Sequence, residues 1–145
     1  MTALSAPIEI LLVEQNPADV RLTLEALKDA KVRNHLHVAT DGVEAMALLR
    51  GTGERRIPLP DLILLDINLP KTDGREVLDD IKQDDRLRDI PVVILTTSLA
   101  KMDIMRSYHL RANAFITKPV DGDQFFKVIK RIEQFWLEVV TLSRP

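Results

Sequence analysis

Short, dense apolar runs alternate along this chain with longer stretches whose apolar positions recur every three or four residues. The runs are IEILLV (Ile8–Val13), HLHVAT (His35–Thr40), DLILLD (Asp61–Asp66), IPVVILTTS (Ile90–Ser98) and ANAFITKP (Ala112–Pro119). Their length and their Val, Ile and Thr content predict five strands. His35–Thr40 is the most polar of them, which suits a strand near a sheet edge. After the first run, Asn16 can cap a helix and Pro17 suits its first position. Val20, Leu22, Leu24, Leu27 and Ala30 give that helix a broad apolar face. VEAMALLR after Asp41-Gly42, REVLDDIKQD after Asp73-Gly74, the weaker AKMDIMRSYHLR, and the long segment from Asp121 to Val140 predict four more. Strands alternating with helices predict an α/β domain, a parallel sheet covered on both faces with right-handed crossovers. No repeat, low-complexity tract or linker divides the 145 residues. We expect one domain over 1–145, with a core over about 8–138 and an extension over 139–145.

Composition mainly excludes. Net charge is -2, so no global field favours nucleic acid or an anionic membrane. No cysteine is present, which removes disulfide and zinc-thiolate chemistry. The N-terminus lacks a basic segment followed by a long apolar core, and no apolar run approaches the roughly 20 residues of a membrane span. A cytoplasmic protein is the expectation. His35, His37 and His109 read as isolated surface residues, and Arg55-Arg56 as a solvated loop pair.

Ligands of open parallel sheets bind outside the carboxyl ends of the strands. Those ends carry Glu14 and Gln15, then Asp66 with Asn68 two residues on, then Thr96-Thr97, then Lys118. A carboxylate closing an apolar strand is costly unless a cation accompanies it, and Lys118 supplies one. An oxygen-rich set without His or Cys suits a hard cation such as Mg²⁺. Such a set can bind a phosphoryl group. Asp66 would be its nucleophile, with Lys118, Thr96 and Mg²⁺ holding the phosphoryl oxygens.

LLVE, LILLDINLPKTDG, VVILTTS and FITKP together closely resemble the receiver domain of two-component response regulators, over residues 8 to about 138. The resemblance implies a flavodoxin-like, doubly wound five-stranded sheet of order 2-1-3-4-5 with five helices. It implies Asp66 as phospho-acceptor, Lys118 as the lysine that pairs with phosphate, and Thr96 and Phe115 as switch residues. It places Mg²⁺ on Glu14, Gln15, Asp66 and Asn68, the last through its backbone carbonyl, and makes the Lys118-Pro119 peptide cis. The resemblance implies a phospho-acceptor rather than an enzyme in the usual sense, one able to catalyse its own Mg²⁺-dependent phosphorylation and dephosphorylation. ADVRL, LPKTDGREVL and FWLEVVTL further resemble stand-alone regulators paired with bacterial and cyanobacterial phytochromes. The implied partners are a histidine kinase, with a bacteriophytochrome as the candidate, and a downstream protein. No DNA-binding element is recognised, so output to nucleic acid is not expected.

One position departs from the family. A second acid usually follows the first at the end of strand one, and here it is Gln15. An amide brings an oxygen but no charge, so Mg²⁺ binding is expected to weaken. Two readings follow: a working receiver that tolerates the change, or a phosphorylation-independent interaction module. A flavin-binding protein of the same fold would need a small-residue phosphate loop where this chain has EQNPAD. In the last helix, Phe125, Ile129, Ile132 and Trp136 share one face. Phe126, Val128, Phe135 and Val139 fall outside it, too much apolar surface to leave wet. A homodimer through Phe126, Phe135, Trp136 and Val139 is the expectation.

Overall fold

The structure, a computed structural model, describes residues 7–28, 33–69, 74–96, 114–128 and 130. Its sheet is made of β1 (Ile8–Val13), β2 (Asn34–Ala39), β3 (Leu62–Asp66), β4 (Val92–Thr96) and β5 (Ala114–Thr117). All neighbours pair in parallel, in the order β2-β1-β3-β4-β5. The expected sheet is therefore present, with the polar β2 at one edge. β3 and β4 are buried along their whole length, which is why their sequences are continuous apolar runs.

Helices α1 (Pro17–Lys28), α2 (Gly42–Arg50) and α3 (Gly74–Gln83) are described, together with a helical segment over 122–128. The expected helix at 100–111, and the last helix beyond residue 130, lie outside the described residues. Asn16 caps α1 as its sequence suggests, its Oδ1 accepting from the backbone N–H of Ala18 at 2.9 Å. The apolar face of α1 differs from expectation. Leu22 and Leu24 are exposed, whereas Thr23, Ala26 and Leu27 are buried. Residues 23, 26 and 27 fall on one side of a 3.6-residue helix, and 22 and 24 flank that side.

The pleat divides the core in two. Leu11, Val13, Ile63, Leu65, Val92 and Ile94 pack with α2 and α3. Ile10, Leu12, Leu62, Leu64, Val93, Leu95 and Ile116 pack with Leu27 of α1 and with Phe125 and Val128. Val128 thus lies in the core rather than off it, a correction to the reading of the last helix. Alternation then carries Glu14, Asp66 and Lys118 onto the α1 side of the sheet, each two residues beyond a core position of that side. Register levels them: Val13 pairs with Leu65, Asp66 with Leu95, and Thr96 with Thr117.

Candidate functional site

Strand geometry thus delivers two carboxylates and one ammonium to a single point. Lys118 Nζ lies 2.9 Å from Asp66 Oδ2 and forms an ion pair with Glu14. A third carboxylate reaches it from the first turn of α1, with Asp19 Oδ2 at 3.1 Å. Glu14, Asp66 and Thr96 are all buried, and the Lys118 side chain is 9% exposed. The other Asp66 oxygen, Oδ1, accepts from the Asn68 backbone N–H at 2.9 Å. Thr96 closes β4 one strand away, and its carbonyl accepts from the Lys118 N–H at 2.8 Å. The Lys118-Pro119 peptide is cis.

Burial pushes the Glu14 carboxyl up to about 7, and the neighbouring Asp66 carboxylate adds to the rise against the pull of Lys118. Burial also works against the Lys118 ammonium, but hydrogen bonds to Glu14 and Asp66 outweigh it and hold its pKa above the usual lysine range. Among the described residues the cluster is therefore short of positive charge. Its donors are all oxygen, a set that suits a hard cation. Among the described residues no three His, Cys, Asp or Glu side chains are arranged to hold a metal ion. A divalent cation here would rest on Glu14 and Asp66, with neutral oxygens from the exposed Gln15 and from residue 68. These residues fit a hard cation held by fewer charges than usual.

The sequence-predicted residues Glu14, Asp66, Thr96 and Lys118 gather at the carboxyl ends of the strands, with Gln15 and Asn68 exposed beside them. Phe115 is partly buried against the α2/α3 side of the core. Phe126 is half-buried, with Lys130 Nζ 5.3 Å from its ring centre. Phe135, Trp136 and Val139 lie outside the described residues.

Sequence reasoning missed Asp19, whose only signal was its place in the first turn after strand one. It also read Gly74 merely as a break. A Cβ there would stand 2.8 Å from Ile67 Cα and 2.9 Å from the Asp66 carbonyl oxygen, so glycine lets α3 approach the loop behind Asp66. Two further expectations are corrected. His35 and His37 are not isolated: Nδ1 of His35 and Nε2 of His37 contact the two oxygens of Glu9, at 3.2 and 3.3 Å. Arg55 is not merely solvated, donating to the Val38 carbonyl at 2.9 Å and to Glu44 at 3.1 Å. Both arrangements join segments distant in sequence.

The response regulator receiver domain family matches residues 10–130. Response regulator Rcp1 of Synechocystis sp. is 50% identical over 137 residues, 94% of this chain and 93% of that protein. A solved structure of Rcp1 is a Mn²⁺-bound form; its TM-score is 0.71 at 50% identity, covering 91% of this chain and 96% of that one. The bacteriophytochrome response regulator AtBRR superposes with a TM-score of 0.79 at 49% identity, covering 86% of this chain and 91% of that one. The phosphorylated cyanobacterial phytochrome response regulator RcpA gives 0.71 at 51% identity, covering 92% and 96%. Among the described residues no helix is long and apolar enough to cross a membrane.

Proposed function

This chain belongs to the response regulator receiver domain family, and from that premise we propose that Asp66 is its phospho-acceptor and that a histidine kinase of the phytochrome class is its donor. The observation that carries the reading is the Lys118–Asp66 contact of 2.9 Å at the carboxyl ends of β3 and β5. An Asp66 carboxylate oxygen attacks the phosphorus of the kinase's phosphohistidine. The phosphorus–nitrogen bond breaks, its electron pair stays on the imidazole, and that ring takes up a proton from solvent. Lys118 then pairs with a phosphoryl oxygen, a charge-assisted bond stronger than its neutral counterpart. The Asn68 N–H holds the other Asp66 oxygen and fixes the carboxylate plane. A divalent cation, Mg²⁺ in the cell, would be held by Glu14 and Asp66 with oxygens of Gln15 and Asn68. When bound it would neutralise phosphoryl charge.

The phosphoryl group brings roughly two negative charges and three acceptor oxygens to a buried site. Thr96 and Phe115 are the residues we assign to the response, Thr96 by turning toward the phosphoryl group and Phe115 by repacking beside β5. Output then goes to a downstream protein, and the domain 1–145 acts in the cytoplasm, where histidine kinases are charged. The same site would hydrolyse its own acyl phosphate. We also propose a homodimer through the last helix, with Phe126, Phe135, Trp136 and Val139 in the interface, because the apolar positions of that segment exceed what one face against the sheet can cover.

Transfer of radiolabel from an autophosphorylated histidine kinase tests the acceptor. Wild-type protein gains label and Asp66→Asn gains none; label retained in Asp66→Asn would contradict the assignment. Sedimentation at micromolar concentration tests the dimer. A monomeric wild type, or a dimer untouched by Phe135→Asp with Trp136→Asp, would remove that interface.

A further inference from the structure

Position 15 brings no charge to the site, yet three carboxylates surround Lys118. Glu14 and Asp66 come from strand ends, and Asp19 comes from α1 with its Oδ2 3.1 Å from Nζ. One ammonium cannot neutralise three acids. We propose that Asp19 is a positioning residue of the Asp66 site: it shares Lys118, so that the ammonium does not fully neutralise Asp66, and it supplies the negative charge that Gln15 lacks. This rests on Asp66 being the phospho-acceptor.

The geometry separates Asp19 from an ordinary first-turn acid. Acids in the first turn of a helix are favoured by its dipole, and α1 has Asp19 there. A dipole role needs no partner, and exposed acids fill it. Asp19 is only 30% exposed on its side chain and points to a lysine 99 residues away in sequence. With all four groups ionised, the cluster carries two uncompensated negative charges, the charge of one divalent cation. Without Asp19 it carries one, and among the described residues Lys118 keeps the carboxylates of Glu14 and Asp66 alone. Asp66 is then more neutralised, a weaker cation ligand and a weaker nucleophile.

The test is titration of the full chain with Mn²⁺ by calorimetry, without any phosphodonor. Asp19→Asn is expected to bind Mn²⁺ about tenfold more weakly than wild type, the effect of one charge on a divalent ion at several ångströms in a watery dielectric. Asp19→Glu should recover part of the affinity. Gln15→Asp added to Asp19→Asn should recover most of it, because the charge returns at another point of the same cluster. Phosphorylation by acetyl phosphate should slow in Asp19→Asn at limiting cation and recover as cation is raised. Equal Mn²⁺ affinity in wild type and Asp19→Asn, whether tight, weak or undetectable, overturns the proposal. So does a loss that Gln15→Asp leaves unrepaired. The titration involves no phosphoryl transfer. Label persisting in Asp66→Asn would therefore refute the acceptor assignment without deciding Asp19.

Discussion

Glu9 and Glu14 stand at opposite ends of the same stretch of chain around β1, and their environments push them in opposite directions. Glu9 lies at the amino-terminal end, on an interior strand next to the edge strand β2. Burial works against its charge, but hydrogen bonds and charge from His35 and His37 more than offset this and lower its pKa. Glu14 lies at the carboxyl-terminal end, almost wholly enclosed beside a second carboxylate. Burial and Asp66 raise its pKa to about 7 although Lys118 touches it. One residue type thus serves two purposes. Beside the edge strand it is a satisfied clasp between β1 and β2. At the strand ends it is held at odds with its surroundings. Perturbed carboxyls of the second kind mark functional sites.

Three variants sharpen or break that contrast. The largest effect is expected from Lys118→Ala, which leaves buried carboxylates without their counter-charge. We expect a loss of about 3 kcal/mol at pH 8 in denaturant titration, and less at pH 5, where Glu14 takes up a proton instead. A loss independent of pH would contradict the coupling. Next comes Glu14→Gln. A carboxyl whose folded pKa is raised contributes stability that is fully present below its unfolded value and is lost as pH rises through the folded one. Without divalent cation, wild type should therefore lose up to ~3 kcal/mol relative to Glu14→Gln between pH 4.5 and about 7. Parallel stability curves for the two proteins would show Glu14 to be unperturbed. Glu9→Gln should matter least, by less than about 1 kcal/mol, since the contact is partly solvated. Its sign is opposite. The folded pKa of Glu9 is lowered, so its contribution is present above about pH 4.5 and fades as pH falls through the folded value. A Glu9 contribution that grows as pH falls below about 4.5 would overturn the clasp.

The same contrast explains what the sequence discloses. β1, β3 and β4 are legible because parallel strands buried on both faces must be apolar throughout. Glu14, Asp66 and Lys118 are legible because each interrupts or ends such a run, where a charge needs a reason. Asp19 is not, because an acid in the first turn of a helix is ordinary. Only the docking of α1 on the sheet reveals which acid meets Lys118. Glu9 with His35 and His37 is hidden for a related reason: the register that pairs Glu9 with His35 is a property of two strands, not of either sequence. Val128 was misjudged because its burial depends on the roll of its helix against the sheet. Gly74 declares a break in the chain, but its closeness to Asp66 appears only when α3 is set behind β3.

The most direct test of the account is to locate the phosphoryl group itself. The protein is phosphorylated with acetyl phosphate and Mg²⁺, the acyl phosphate is reduced with borohydride, and the resulting peptides are sequenced by mass spectrometry. The account predicts one modified residue, Asp66, with Glu14 and Asp19 untouched. Modification at either of those acids, or none on Asp66, would contradict it.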